Sequence, residues 1–407
     1  MSPRKSPFRI KLIVISLCAI SGLFFGCANA DKKKGAASES TTEAPARPLQ
    51  LVQKKDKVIP LDLETSTDSW MNAIKIDTTV YVYFYNRNNR NFYLQKYYGN
   101  SAPIKVPLHS DGPHKIARDL IQSSIHNLDS IFIHEFGFGY IINRNGEIVD
   151  KFEFPELDET VSDFRMIRFD AATRFKNGKL YVGLGTNTTK VEDFKPLRAS
   201  YNFATKQLEE LYLEEREILP GYNTMMKANP KLITTSSGVR KFFVGEPNHV
   251  FATTQVSDSL YEYVDQHLVN RYYMGDPNRQ SATASEIRAL RTEQRINGGM
   301  MSTTAVEKPP HYTSLLMDVD KRYIYRIFIH GVADTMGKND PADAKVKGAT
   351  LIALNLKTKK MNSFSLPVDG IYATASGGMF ATKEGIHFSV KDQEVESEKR
   401  FNVFKIE

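Results

Sequence analysis

The sequence predicts an all-β fold, a six-bladed β-propeller closed by its own N-terminal strand, with one short helical insertion. Two observations lead to this prediction. A short run of alternating β-branched and aromatic residues, entered from a tight turn, recurs along the chain, and such runs are typical of strands. The last copy of the repeat lacks its outermost strand, as expected for a ring that the opposite end of the chain completes.

The repeat is recognised by one strand that follows a turn rich in Asp, Asn, Gly and Lys. Its six occurrences are DTTVYVYF, LDSIFIHE, NGKLYVGL, GVRKFFVG, DKRYIYRIFI and KEGIHFSV. We take as equivalent points in these copies Val80, Ile131, Leu180, Phe242, Tyr323 and Ile386. The spacing between these points leaves room for about four short strands in each copy, which is the size of a propeller blade.

A predicted hairpin follows this strand in the first five copies. The clearest example is GYIINRNGEIVDKFEFP, residues 139–155, with Asn145 and Gly146 at its turn. An Asn-Gly pair favours the tight turns that join antiparallel strands, because both residues tolerate a positive φ.

The two ends of the chain are predicted to close the ring together. The sixth copy stops at RFNVFKIE, where a third strand ends. Residues 49–64, LQLVQKKDKVIPLDLE, contain a strand that belongs to no copy, and we expect it to pair beside Phe401–Ile406. This pairing would leave no long strand edge exposed at the joint.

One segment has helical character. Residues 281–298, SATASEIRALRTEQRING, fit a helix with a capping box at Thr283 and Glu286 that stops at Asn297 and Gly298. Because the segment interrupts the repeat, the helix must lie on a face or on the rim of the propeller. We expect it to cover one mouth of the central channel, the alternative being a fixed surface decoration.

The N-terminus is predicted to be a lipoprotein signal peptide, residues 1–26. A basic start is followed by an uncharged stretch from Leu12 to Phe25, which is too short to span a bilayer comfortably. The stretch ends in LFFGC, which resembles a bacterial lipobox and implies that Cys27 is acylated, for instance with palmitate. The alternative is an uncleaved anchor flanked by Lys32–Lys34. Residues 27–48 are small and polar, and they are predicted to form a flexible tether.

These assignments exclude several kinds of function. Cys18 would leave with the signal peptide, so a cysteine nucleophile, a zinc–thiolate site and a disulfide are all excluded for the folded domain, residues 49–407. The net charge of +7 includes basic residues of the signal peptide, and no dense Lys/Arg run follows the tether. Nucleic-acid binding is therefore not expected.

The N-terminal pattern and the repeats together resemble a known group of proteins. These are the uncharacterised six-bladed propeller lipoproteins of Gram-negative bacteria, a TolB-like group defined by a domain of unknown function. The segments SIHNLDSIFI, YIINRNGEIVDKFEF and DKRYIYRIFI carry the likeness. They are blade-forming segments, so the resemblance implies a fold and an envelope location and transfers no catalytic residue.

No catalytic motif stands out in the sequence. The nine histidines include no metalloprotease pair, and neither a G-x-S-x-G elbow nor a phosphate-binding glycine loop occurs. The residues that could line the channel mouth and bind an anionic or carbohydrate-like ligand are Trp70, Arg168, Arg240 and Arg326. The alternative is a calcium ion in the channel, for which the candidate ligands are Asn72, Asn127 and Asp170.

The expected function is that of a lipid-anchored, non-catalytic binding module. We expect a monomer without a cofactor that meets an envelope protein or a small ligand. Ala28 after the cysteine resembles signals that permit sorting to the outer membrane, where the propeller would face the periplasm or the cell surface. The alternative function is that of a metal-dependent hydrolase or lyase with its site in the central channel.

Overall fold

The computed structural model describes most of the compact unit Leu49–Glu407. The described residues are 48–65, 71–99, 101–116, 122–135, 138–154, 165–186, 197–213, 241–254, 257–277, 294–295, 301–302, 310–331, 348–367, 378–390 and 395–407. Within these ranges the regular structure is entirely β, and no helix with the length and apolar character needed to cross a membrane occurs.

The first half of the unit forms two edge strands and three blades. The edge strands are β1 (Leu51–Gln53) and β2 (Lys57–Pro60). Blade 1 contains β3 (Asn72–Ile76), β4 (Thr79–Asn86), β5 (Asn91–Lys96) and β6 (Ile104–Pro107). Blade 2 contains β7 (Gln122–Asn127), β8 (Ser130–Glu135), β9 (Phe138–Ile142) and β10 (Ile148–Glu153). Blade 3 contains β11 (Arg165–Arg168), β12 (Arg174–Lys176), β13 (Lys179–Thr186), β14 (Leu197–Asn202) and β15 (Gln207–Tyr212).

The second half forms three further blades and one small hairpin. Blade 4 contains β16 (Lys241–Glu246), β17 (His249–Thr254), β18 (Ser259–Val264) and β19 (His267–Tyr273). The hairpin pairs β20 (Gln294–Arg295) with β21 (Met301–Ser302). Blade 5 contains β22 (His311–Met317), β23 (Tyr323–Ile329), β24 (Ala349–Asn355) and β25 (Met361–Leu366). Blade 6 contains β26 (Met379–Thr382), β27 (Gly385–Ser389) and β28 (Glu398–Ile406).

The six blades form a ring around a central channel. Strands that follow each other in a blade pair antiparallel. The first strands of neighbouring blades lie against each other, as β3 does with β26 and with β7. These first strands are therefore the innermost ones, and the prediction of a six-bladed propeller is confirmed.

An apolar cluster fills each of the six spaces between neighbouring blades. The alternating side chains of a strand point to the two faces of its sheet, so each blade contributes to two clusters. In β4, for example, Tyr81 packs towards blade 2, whereas Val82 packs towards blade 6. The core is thus a continuous ring of interblade contacts.

The N-terminal strands complete blade 6. Both pair antiparallel with β28, with Leu51 opposite Ile406 in β1 and Lys57 opposite Phe401 in β2. The buried side chain of Ile59 in β2 joins the apolar cluster between blades 6 and 1. The predicted closure of the ring by residues 49–64 is confirmed.

Two details of the repeat differ from the prediction. Phe242 lies in β16, the first strand of blade 4, whereas the other five reference residues lie in second strands. Both β16 and β17 have alternating apolar residues and are joined by a two-residue turn, so their sequences do not reveal which one is innermost.

Gln294 and Arg295 form strand β20 and are not helical, and the rest of the predicted helix 281–298 lies outside the described residues.

The two faces of the propeller carry different connections. Antiparallel order places the links between first and second strands on one face, which we name the turn face. Five of these links consist of two residues, namely 77–78, 128–129, 177–178, 247–248 and 383–384. The links between second and third strands and between blades leave from the opposite face, which we name the loop face. The strands β13, β15 and β23 end at this face, and β14, β16 and β24, which follow them, begin there.

Neighbouring residues in β2 provide a test of the closure. Ile59 is 1% exposed and Val58 is 40% exposed. We expect Ile59→Ala to lower the free energy of unfolding by about 2–4 kcal/mol, because it removes buried methyl groups from the interface that closes the ring. Val58→Ala is the matched control and should change it by no more than about 0.5 kcal/mol. Chemical denaturation measures both values, and equal effects of the two changes would contradict the closure.

Candidate functional site

Charged side chains join several blades at the turn-face mouth of the channel. We name these five residues the mouth cluster: Lys75, Arg174, Glu246, Asp320 and Lys321. Lys75 Nζ of blade 1 lies 2.6 Å from Asp320 Oδ1 of blade 5. Lys321 Nζ of blade 5 lies 2.7 Å from Glu246 Oε1 of blade 4, and Arg174 Nε of blade 3 lies 4.0 Å from the same oxygen.

The ion pairs of the mouth cluster contribute little to the free energy of folding, but they link side chains of different blades. All five side chains are partly exposed, and exposed ion pairs contribute only about 0–1 kcal/mol each. The cluster still connects blades 1, 5, 4 and 3, including two that are not neighbours. Its two carboxylates, Asp320 and Glu246, are both engaged by cations of the cluster, and Glu246 is shared between Lys321 and Arg174.

Blade 3 has an interrupted innermost strand that displays an acid. Strands β11 and β12 both pair with β13, and residues 169–173 between them form a bulge. Asp170 Oδ1 accepts the N–H of Ala172 at 2.9 Å and the hydroxyl of Thr173 at 3.3 Å. Its Oδ2 is buried and has no hydrogen-bond partner. Burial raises the pKa of this carboxyl, and the charge of Arg198 acts in the opposite direction.

The structure does not bring the three candidate calcium ligands together. Asn72 is the first residue of β3, on the loop face, whereas Asn127 is the last residue of β7, on the turn face. Innermost strands run in the same direction in a propeller, so the two amides are separated by about a strand length, roughly 15 Å. Asn127 Oδ1 also accepts the N–H of Asp129 at 2.9 Å, which fixes its own turn. Asp170 alone retains a free buried oxygen.

Arg326, a predicted ligand-binding residue, is instead a clamp between two blades. Its side chain is fully buried, and its Nη2 donates to the carbonyl oxygens of Thr254 and Ser257 in blade 4. The guanidinium lies 3.3 Å from the ring centroid of Tyr312, which is a cation–π contact. A ligand could not reach this group without separating blades 4 and 5. The sequence predicted an arginine in a blade strand correctly but could not determine which way it points.

The other predicted ligand-binding residues are not tested by the structure. Trp70 and Arg240 lie outside the described residues, as does the lipidation site Cys27. Arg168 ends β11, opposite Gly183 of β13, and its side chain lies outside the described part of the molecule.

A buried polar network that the sequence did not reveal ties the closing strand to blades 1 and 6. Tyr97 Oη lies 2.8 Å from Glu384 Oε2 and 2.8 Å from His387 Nε2. Lys57 of β2 donates to the carbonyl oxygen of Tyr97 at 2.7 Å. No local sequence signal could have predicted this network, because its members come from three distant segments.

A second unpredicted group lies at the loop face between blades 4 and 5. His330 Nε2 lies 2.8 Å from Thr350 Oγ1 and 3.1 Å from Asp276 Oδ2, and the threonine hydroxyl donates to the same carboxylate oxygen. Asp276 is buried and His330 is partly exposed. Asp276 and Thr350 thus contact the same imidazole nitrogen, Nε2.

Metal ligation finds little support among these groups. Within the described ranges, no three His, Cys, Asp or Glu side chains lie close enough to hold one metal ion. The polar groups that come together are, for the most part, engaged in contacts between blades.

The chain matches the model of one protein family over most of its length. The family model of the domain of unknown function DUF4221 matches residues 52–354. The chain belongs to the DUF4221 family. A search of curated proteins finds no match.

Solved structures agree with the fold of this DUF4221 protein. A DUF4221 member from Bacteroides vulgatus superimposes with a TM-score of 0.63 at 16% identity, covering 88% of this chain and 98% of that one. A Bacteroides fragilis protein described as a candidate exported protein gives a TM-score of 0.45 at 10% identity, with 88% and 95% covered. The WD40 domain of Neurospora crassa Pan2 gives 0.36 at 7% identity, with 84% and 89% covered. At these identities, the first likeness supports the propeller fold alone.

Two buried histidines should make the free energy of unfolding of this DUF4221 protein depend on pH. Burial lowers the pKa of His134 to about 4 and that of His387 to about 3, from 6.5. Between these values and 6.5 the unfolded chain binds protons that the folded chain does not. The free energy of unfolding should therefore decrease as the pH falls below about 6.5.

The variant His134→Phe isolates one of the two contributions. This ring already packs against Phe154 and Phe169, so phenylalanine should fit there. We expect urea denaturation at pH 7 and pH 5 to differ less for His134→Phe than for the wild type. His267→Phe, at an exposed position of β19, should keep the wild-type difference. An unchanged pH dependence in His134→Phe would contradict the assignment.

Proposed function

We propose that this DUF4221 protein is a lipid-anchored envelope propeller whose loop face binds a protein partner or a small ligand without catalysing a reaction. The observation that carries the proposal is the unequal division of connections between the two faces. At the turn face, five pairs of first and second strands are joined by two residues each, and the mouth cluster lies there, whereas most strands that end at the loop face are separated from the next strand by a longer stretch of sequence. Binding residues in proteins are concentrated on long loops held by a rigid scaffold.

The way the chain enters the propeller supports this choice of face. Strand β28 runs from the loop face to the turn face, and Leu51 at the start of β1 pairs with Ile406 at its end. The described chain therefore enters the propeller at the turn face. A lipid on Cys27, as the sequence predicts, would leave the loop face without a covalent link to the anchor.

The location follows from the N-terminal sequence. The uncharged stretch, the lipobox-like LFFGC and the polar tether favour an outer-membrane lipoprotein that faces the periplasm or the cell surface. The rival function, a metal-dependent hydrolase or lyase, requires ligands that converge. Of its three candidate ligands, Asn72 and Asn127 lie on opposite faces.

Cysteine labelling can locate the binding face. With Cys18 removed and Cys27 acylated, an introduced cysteine would be the one thiol that reacts with the label. We introduce single cysteines at Leu63 and Asp111 on the loop face, and at Lys206 and Asp265 on the turn face, all of them exposed. Maleimide labelling is compared between cell envelopes and purified protein. We expect the two loop-face positions to react more slowly in envelopes, because a bound partner covers them, and the two turn-face positions to react equally.

Two controls separate the parts of this proposal. In the variant Cys27→Ala we expect the protein to leave the membrane fraction and to lose acyl labelling. Retention in the membrane would instead indicate an uncleaved anchor. Equal labelling at all four positions, or slowing on the turn face alone, would contradict binding at the loop face. A rise of the melting temperature with calcium that is lost in Asp170→Asn would favour the hydrolase.

A further inference from the structure

Two Asn-Gly turns in the described part of the propeller differ in how firmly the structure holds them. Asn145-Gly146 lies between β9 and β10 of blade 2, and Asn177-Gly178 joins β12 to β13 of blade 3. Both pairs follow a basic residue, Arg144 in one case and Lys176 in the other, so their local sequences are alike. A difference in the chemistry of the two turns must therefore come from the fold.

An Asn-Gly pair can lose ammonia without an enzyme. The backbone nitrogen of the glycine attacks Cγ of the asparagine, a new N–C bond closes a succinimide ring, and the side-chain nitrogen leaves as ammonia. The glycine N–H gives up its proton to water in this step, and the leaving nitrogen takes one up. Water then opens the ring at either carbonyl carbon, which yields aspartate or isoaspartate. A hydrogen bond that holds the glycine N–H opposes the attack, because it must be broken first.

The turn at Asn145 is held by hydrogen bonds to Asn143. The N–H of Gly146, the group that would attack, donates to the carbonyl oxygen of Asn143 at 2.9 Å. Asn143 Oδ1 accepts the N–H groups of Asn145 and Glu147 at 2.9 and 3.0 Å. Gly146 is buried, and a Cβ at this position would collide with the carbonyl oxygen of Pro107. Ring closure at Asn145 therefore requires the turn to open.

The turn at Asn177 leaves the reacting groups accessible. Asn177 and Gly178 are both exposed, and the position that a Cβ of Gly178 would take has no heavy atom within 4 Å. Among the described residues, neither the N–H of Gly178 nor the side chain of Asn177 has a hydrogen-bond partner. The carbonyl oxygen of Gly178 does accept the N–H of Phe203 at 3.1 Å, and this bond leaves the nitrogen accessible.

We propose that Asn177 is a site of spontaneous deamidation in the folded protein and that the fold protects Asn145 from the same reaction. Asn177 has a φ of 52°, a conformation that aspartate also adopts, so the aspartate product fits the turn. Isoaspartate would instead add a methylene group to the backbone of a two-residue turn. That turn adjoins the three-residue strand β12, which carries Arg174 of the mouth cluster. The site lies on the turn face and does not depend on the partner proposed for the loop face.

Incubation of the purified wild-type protein at mildly alkaline pH tests the site. Peptide mapping by mass spectrometry follows the replacement of the side-chain NH2 by OH at each Asn-Gly pair separately, so that Asn297-Gly298, outside the described residues, does not interfere. We expect Asn177 to deamidate about 10-fold faster than Asn145, because Asn145 reacts only after its turn has opened. In guanidinium chloride both turns are open, and the two rates should converge.

A substitution in blade 2 tests the protection by itself. Asn143→Ala removes the oxygen that accepts the N–H groups of Asn145 and Glu147 and changes nothing in blade 3. Deamidation at Asn145 should become faster in this variant, and deamidation at Asn177 should keep its wild-type rate. The proposal is overturned if Asn177 keeps its amide in the folded protein, or if Asn145 reacts as fast. It is also overturned if the ratio of the two rates is the same in guanidinium chloride, or if Asn143→Ala leaves the rate at Asn145 unchanged.

Discussion

The pairing of β1 and β2 with β28 is the interaction on which the rest of the structure depends, because it completes blade 6, whose sheet packs against blade 1 and closes the ring. Each blade buries one face of its sheet against each neighbour, and no blade has a core of its own. Opening the ring at blade 6 would expose the cluster that contains Ile59, Val82 and Phe401. It would also separate Lys57 from Tyr97, and so break the polar network at the joint.

Several charged residues of the described part of the molecule connect different blades. Arg326 holds carbonyl oxygens of the neighbouring blade, and the mouth cluster connects blades across the turn face. Burial acts to raise the pKa of Glu262 in blade 4, but hydrogen bonds with Tyr272, Asn270 and His249 and the charge of Lys359 hold this pKa at about 2.

The fold could be predicted from the sequence because propeller blades repeat. Alternating runs such as KLYVGL and turns such as Asn145-Gly146 are local signals, and the missing strand of the last blade identified its replacement. In blade 4 the prediction placed the second strand of the blade one strand too early, since β16 and β17 have the same pattern. Periodicity detects a strand but does not number it within its sheet.

The site was predicted far less well than the fold, for a physical reason. The direction of a side chain and its partners depend on contacts between segments that are distant in sequence. Arg326 and Arg198 are both buried arginines in blade strands, yet Arg326 donates to backbone carbonyls of the neighbouring blade, whereas Arg198 donates to a carbonyl of its own blade. Asn72 and Asn127 were grouped by residue type, but they lie at opposite ends of their strands.

Native-state hydrogen exchange measures the closure most directly. If the ring opens only when the whole domain unfolds, the paired amides of β2 and β28 should have the same free energy of opening as those of central strands such as β4 and β23. The contrary result would be exchange of the β2 amides through a local opening of much lower free energy, while β4 and β23 stay protected. The N-terminal strands would then be an appendage, and the ring would be stable without them.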